Sequence, residues 1–300
     1  MSGMTGALPA RVLVLGLGYS GRHVARLLQS HGAACSGTVR DPAAAPEDGV
    51  IRHRWVAGAA QGGEGLCQVE PGTMLRDAIV GAEAVLCTIP PDDAGDPALR
   101  LLGTALRESP ALRWVGYLSS TAVYADRDGG WIDETSVPDA VDDTARRRLL
   151  AEAQWRGFAR DKGVASAVFR LPAIYGPGRN ALVQLAEGRA RHVVRPGLVF
   201  NRLHVEDLAA VVVAAMGHRG EALYLPADDE PAPPQEVLAF AAKLGGFAMP
   251  PAVAWDDPSV SPALRRFYAS NKRIDSRGTR DALGWTPTFA TYREGLQDAS

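Results

Sequence analysis

Between residues 16 and 21 the chain reads Gly16-Leu17-Gly18-Tyr19-Ser20-Gly21, three glycines at the spacing GxGxxG. The first glycine of such a loop permits a tight turn, the second lets the main chain approach a pyrophosphate, and the third lets a helix pack against a strand. The expected ligand is a dinucleotide whose phosphates face a helix N-terminus. About 20 residues further on, an NAD site places Asp or Glu against the ribose hydroxyl; here the chain reads Thr38-Val39-Arg40. A planar arginine fork suits a 2′-phosphate through charge-assisted, bidentate bonds, so the expected cofactor is NADP. If Asp41 reached the ribose instead, the cofactor would be NAD.

A second group of residues with chemical potential lies between Arg179 and His204. Five arginines (Arg179, Arg189, Arg191, Arg195, Arg202) and two histidines face a single acid, Glu187. Such a cluster either grips an anionic ligand or is a set of solvated surface arginines. Glu206 and Asp207 open an apolar helical run, where acids are favoured by exposed N–H groups, and are read as capping rather than catalytic. His23 is expected on the surface and His31 at a helix end. No His, Cys, Asp or Glu grouping has the spacing of metal ligands, so no metal is expected.

These residues need a frame, and the hydrophobic periodicity supplies one. Arg11 to Leu15 is a short apolar run, Gly21 opens a helix with Val24, Leu27 and Leu28 on one face, and Ala33 to Val39 reads as a second strand. A weaker strand near Arg54-Trp55-Val56, a helix over Leu75 to Val80 and a strong strand Ala84 to Ile89 continue the alternation. Helix 98–107, strand 114–119, helix 146–160 and strand 165–171 follow. Alternating strands and helices predict an α/β fold, a Rossmann-type doubly wound parallel sheet. Beyond Pro172 glycine and proline become frequent, with helices expected at 181–186, 205–216 and 235–244 and a strand at 223–225. The domain reading is a cofactor domain over 1–171, to which 199–225 returns, and a smaller discontinuous substrate-binding lobe made of 172–198 and 226–300. Residues 42–46 read as a loop.

Bulk properties limit the partners. The chain has 300 residues, 46% hydrophobic and 22% charged, with a formal net charge of −2. Nothing pulls it globally toward nucleic acid or an anionic membrane. The longest late apolar stretch, Leu208 to Met216, falls far short of the ~20 residues a bilayer span needs, and the first ten residues lack a signal pattern. Cys35, Cys67 and Cys87 are odd in number and lack CxxC spacing, so reduced thiols in a cytoplasmic protein are expected.

Several further segments carry a resemblance. Leu118-Ser119-Ser120-Thr121-Ala122-Val123-Tyr124 looks like an SS(S/T)xxVY motif, Arg170 to Gly178 like RPxxxYGPG, and Arg202 to Ala209 like R-x-H-V-x-D-L-A. Leu283-Gly284-Trp285-Thr286-Pro287 with Glu294-Gly295-Leu296 looks like a closing LGW-x-P and EGL. In this order they resemble the extended short-chain dehydrogenase/reductases, the NAD-dependent epimerase/dehydratase group, across essentially the whole chain. The resemblance implies an oxidoreductase or epimerase acting on a small polar substrate, with a homodimer compatible with the family's habit of pairing helices into four-helix bundles.

The resemblance also implies roles. Thr121 would orient the substrate oxygen, Arg202 with Arg179 would grip an anionic group, and Arg148 would hold the nicotinamide ribose. The expected cofactor contacts are the loop residues Gly16, Leu17, Gly18, Tyr19, Ser20 and Gly21, with Arg40, Thr88, Ile89, Pro90, Ser119, Arg148 and Pro172. The family's Tyr-x-x-x-Lys pair is missing, because alignment on Leu149-Leu150-Ala151-Glu152 puts Thr144 at the tyrosine and Arg148 at the lysine. A phenol of pKa ~10 becomes a useful acid-base beside a lysine, whereas a threonine hydroxyl does not titrate there and a guanidinium does not exchange its proton. Leu15 also stands where extended members carry the first glycine of GxxGxxG. Tyr124 and Tyr175 are the remaining phenols near the expected cleft, either as altered proton donors or as structural members of their turns. With Tyr124 and Thr121 the catalytic set is Thr121, Arg148 and Tyr124. The other reading is a non-catalytic NADP-binding redox sensor or regulatory protein.

Overall fold

The structure is a computed structural model that describes residues 7–42, 48–55 and 72–299. Cys67 and Val56 lie outside these residues, as does most of the 42–46 loop. In chain order the first half comprises β1 (Arg11–Leu15), α1 (Tyr19–Ser30), β2 (Ala34–Val39), β3 (Ile51–Arg54), α2 (Thr73–Gly81), β4 (Ala84–Cys87), α3 (Pro97–Glu108), β5 (Trp114–Ser120), β6 (Trp131–Ile132), α4 (Asp143–Lys162) and β7 (Ala165–Leu171). There follow β8 (Ala173–Tyr175), α5 (Ala181–Ala186), β9 (His192–Val194), β10 (Arg202–His204), α6 (Val205–Ala215), β11 (Glu221–Tyr224), α7 (Pro234–Gly245), β12 (Ala252–Ala254), α8 (Pro262–Tyr268), β13 (Arg273–Ile274), α9 (Arg277–Leu283) and α10 (Tyr292–Asp298).

Two compact units result. The first comprises Met1–Val123, Ala140–Arg170 and Ala209–Tyr224, the second Tyr124–Asp139, Leu171–Leu208 and Leu225–Ser300. The return to the first unit thus begins at 209 rather than 199, and residues 124–139 join the second unit, a crossing that no local pattern announces.

The first unit is a seven-stranded parallel sheet in the order β11-β7-β5-β4-β1-β2-β3. Strand order reverses beside β1, which pairs with β2 on one side and β4 on the other. In open α/β sheets the carboxyl ends of the strands at that switch form the ligand crevice. Burial on both faces explains why β1 and β4 are continuous apolar runs. Cap chemistry sets the helices. Asp96 and Asp142 accept the Leu99 and Ala145 amides at the starts of α3 and α4, and Gly163 ends α4 in the left-handed region. Leu13, Leu15, Leu102, Tyr117, Trp155 and Phe158 pack in one core cluster.

The edge strand β3 is Ile51–Arg54, a few residues before the expected Arg54-Trp55-Val56. Pairing with β2 fixes its register, Ser36 opposite Ile51 and Val39 opposite Arg54, so a polar run becomes a strand. In the second unit α5, α7 and α10 contribute to a core around Tyr175, Leu182, Val237, Ala241, Tyr292 and Leu296. Parallel pairs β8–β10, β9–β12 and β6–β13 complete it. Among the described residues no helix is long and apolar enough to cross a membrane.

Candidate cofactor cleft and catalytic residues

The glycine loop is held by two threonines. The Gly16 amide donates to Thr38 Oγ1 at 2.8 Å, and Thr88 Oγ1 donates back to the Gly16 carbonyl at 2.5 Å. Thr38 is the penultimate residue of β2 and Thr88 follows β4, so the two strands flanking β1 fasten the turn from both sides. Gly16 needs its positive φ of 97°. Gly18 is the N-cap of α1 and offers no side-chain oxygen to the helix, which leaves the first-turn amides for an anion. A Cβ on Gly18 would meet nothing within 4 Å, whereas one on Gly21 would lie 2.5 Å from the Gly16 carbonyl oxygen.

A cleft of about 500 Å³ opens here, lined by Gly16, Leu17, Gly18, Thr38, Val39, Arg40, Trp55, Thr88, Ile89 and Pro90. The structure therefore brings together most of the cofactor residues expected from the sequence, with Arg40 exposed at the end of β2. Tyr19 and Ser20 open α1 directly behind Gly18. The open space above Gly18, the uncapped helix and the exposed arginine fit a phosphorylated dinucleotide, so the residues present suit the group. Sequence reasoning missed Thr38 as a loop clamp and Trp55 as a wall. Thr38 had a signal, being the last small polar residue before Arg40; Trp55 had none, because its place depends on the register of β3.

One expected cofactor contact needs revision. Ser119 is buried, and its hydroxyl donates to Glu152 Oε1 at 2.5 Å, so it is committed to the interior rather than to a ligand. Pro172 sits half-buried in the second unit between β7 and β8.

On the catalytic side, Thr121 is half-buried and opens a single 3₁₀ turn, Thr121–Val123, where β5 ends. Arg148, on α4, donates from Nη1 to the Leu118 carbonyl at 2.9 Å and reaches the Tyr117 hydroxyl at 3.4 Å. Thr144, one turn earlier, is exposed. The phenol beside Arg148 is thus Tyr117, which no motif pointed to; burial pushes its pKa well up, which disfavours it as a titrating group near neutrality. Tyr124 is 1% exposed. Tyr175 is buried, donates to the Thr291 carbonyl at 3.3 Å and has its pKa raised by burial, the structural alternative of the sequence reading. Cys35 and Cys87 are buried free thiols whose pKa burial raises, so neither is an activated nucleophile.

The arginine cluster of the second unit does not act as one patch. Arg202 corrects the expectation most: it is buried, donates from Nη1 to the Phe200 and Ala232 carbonyls at 2.9 and 3.1 Å, and lies over the Tyr292 ring. Its charge ties chain segments together instead of projecting to a substrate. Arg195 bonds the Tyr268 carbonyl and stacks on Trp255, and Arg189 pairs with Glu187. Arg179 and Arg191 remain exposed.

Asp207 also departs from the capping expectation. It is 1% exposed and accepts the Thr288 and Phe289 amides at 2.7 and 3.0 Å. The carboxylate anchors the segment after Leu283-Gly284-Trp285 rather than the start of α6. Asp207→Ala removes the acceptor of two part-buried amides, and about 1–3 kcal/mol of stability is expected to be lost in urea denaturation. A loss under about 0.5 kcal/mol, the scale of surface changes, would restore the capping reading.

No family model matches the chain. It is 29% identical over 311 residues to a 3-diazoavenalumate denitrifying reductase from Streptomyces, covering 95% of this chain and 99% of the relative. Among solved structures, a conserved protein of unknown function from Silicibacter pomeroyi is 37% identical with a TM-score of 0.82, covering 97% of this chain and 98% of that one. MoeE5 in complex with UDP-glucuronic acid and NAD is 21% identical with a TM-score of 0.74, covering 96% of each chain, which shows a shared fold.

Proposed function

We propose that this chain, which belongs to the extended short-chain dehydrogenase/reductases of the NAD-dependent epimerase/dehydratase group, is an NADP-binding oxidoreductase acting on a small polar, anionic substrate. The observation that carries the reading is the cleft in which the glycine loop, Arg40 and the Thr88–Pro90 segment meet. The name of the Streptomyces relative, a reductase, supports reduction over epimerisation.

When bound, the dinucleotide supplies hydride chemistry. The chain's own residues do the rest. Loop amides and the start of α1 receive the pyrophosphate, and the Arg40 fork takes the 2′-phosphate. Arg148, held on the Leu118 carbonyl, keeps further N–H groups for a ribose hydroxyl. Thr121 orients the substrate oxygen, and exposed Arg179 offers a charge to an anionic group. The proton comes from a source other than a Tyr-x-x-x-Lys pair.

Arg40→Ala is expected to weaken NADPH binding about 10- to 100-fold, the value of a charge-assisted phosphate contact, while NADH binding stays within about threefold. Isothermal titration with both cofactors tests this, and tighter binding of NADH by the wild type would overturn the NADP assignment. A second reading, a non-catalytic NADP-binding sensor, is favoured by one observation: Thr144 stands exposed where the phenol belongs. NADPH binding without oxidation across a panel of carbonyl and diazo compounds would favour that sensor.

A further inference from the structure

Lys272 is a buried cation of the second unit that the proposed reaction does not use. It is 8% exposed, and its ammonium donates to the Tyr124 carbonyl at 2.8 Å, reaches the Ala125 carbonyl at 3.5 Å and bonds Ser270 Oγ. Its neighbours extend the same tie. The Asn271 amide donates to Asp126 Oδ1 at 2.6 Å, the Asn271 carbonyl accepts the Arg127 and Gly129 amides, and Arg273 bonds the Gly129 carbonyl. On the other side Asn201 Nδ2 donates to the Lys272 carbonyl at 2.8 Å, and its Oδ1 accepts the Ile274 amide. Residues 270–274 thus strap down the main chain of 124–130, which leaves the Thr121–Val123 turn after a single peptide bond.

We propose that Lys272 is a positioning residue: its ammonium clamps the Tyr124–Ala125 main chain and so fixes the turn that carries Thr121. The functional half of this statement rests on Thr121 orienting the substrate; the clamp itself does not.

The charge balance around the ammonium explains why the clamp is an adjustable one. Asp126 and Asp139 favour its charge, and Arg127, which is paired with Asp139 at 2.7 Å, opposes it. Burial outweighs the two acids and brings the Lys272 pKa down to about 8. A folded lysine that loses its proton near pH 8, against 10.5 ordinarily, makes the folded state release protons before the unfolded chain does. For this group alone, stability against unfolding therefore rises with pH across that window. The same linkage holds for the clamp: an opening of 124–130 that solvates Lys272 restores its ordinary pKa, so the closed segment is favoured as pH rises through the same window. Tightening of 124–130 between pH 8 and 10 consequently reports the burial of Lys272 against that segment.

Hydrogen exchange of the 120–130 segment, followed by mass spectrometry and corrected for intrinsic rates, tests this on the full chain. Wild-type protection is expected to rise about tenfold between pH 6.5 and 9.5, as linkage to a buried lysine requires. Lys272→Met, which neither titrates nor donates, and Lys272→Arg, which stays charged, are both expected to show no alkaline rise, with Lys272→Met below the wild type at pH 9.5. Wild-type protection that is flat with pH, or equal protection in Lys272→Met, would overturn the clamp; the wild-type scan decides even if a variant fails to fold. Once a substrate is in hand, Lys272→Met should lower kcat with the KM for NADPH unchanged. Failure of the wild type to bind NADPH would sink the proposed function and leave the exchange result standing.

Discussion

Glu152→Ala is expected to cost about 3–5 kcal/mol of unfolding free energy, because it removes one partner of a buried ion pair and leaves the other unneutralised. Glu152 and Arg170 are 2% and 3% exposed. Arg170 Nη2 donates to Glu152 Oε2 at 2.7 Å, and its Nε reaches Oε1 and Oε2 at 3.1 and 3.2 Å. Ser119 donates to Oε1 as well, so α4, β5 and β7 meet on a single carboxylate. Glu152→Gln keeps the shape and an acceptor oxygen but loses the charge, and should fall between the wild type and the alanine variant. Guanidinium denaturation measures both: the midpoint should drop with the slope unchanged. A change below about 1 kcal/mol for the alanine variant would mean that Arg170 finds solvent or another acceptor.

That network shows where a sequence stops being informative. Ser119, Glu152 and Arg170 each sit in a recognisable motif, and resemblance gave Ser119 a place against the cofactor. Ser119 belongs to a serine-rich strand end, yet its hydroxyl turns inward because a buried carboxylate with unused lone pairs is a stronger acceptor than an open cleft. Arg202 repeats the lesson: residue type announces a cation, but direction comes from the Phe200 and Ala232 carbonyls, and the Ala232 one lies 30 residues along the chain. The legible features were local. β1 declared itself by apolar content, α1 by its spacing, and the turn between them by glycine. The pairs β6–β13 and β9–β12 left no trace because strands of two or three residues have no period to read, and their partners lie far apart in sequence. Lys272 likewise gave no signal, since neither its burial nor its acceptors at Tyr124 and Ala125 are neighbours in the chain.

Gly18→Val should separate cofactor binding from stability within one loop. The Gly18 backbone, at φ −77° and ψ −160°, is extended and open to any residue, and a Cβ there points into space with nothing within 4 Å. The folded protein should hardly register the change, within about 0.5 kcal/mol in denaturant. The space it fills, however, is where a pyrophosphate must approach the main chain, and overpacking of that approach should weaken NADPH binding at least about 10- to 100-fold. Gly21→Ala should behave differently, because its Cβ would stand 2.5 Å from the Gly16 carbonyl oxygen and 3.1 Å from Val14 Cγ1. Backbone cannot step aside cheaply, so about 1–3 kcal/mol of stability should be lost along with affinity. Measuring urea midpoints and NADPH dissociation constants for both variants distinguishes the two effects. If Gly18→Val binds NADPH as tightly as the wild type, the loop is a strand-to-helix turn and nothing more, and the dinucleotide assignment falls with it.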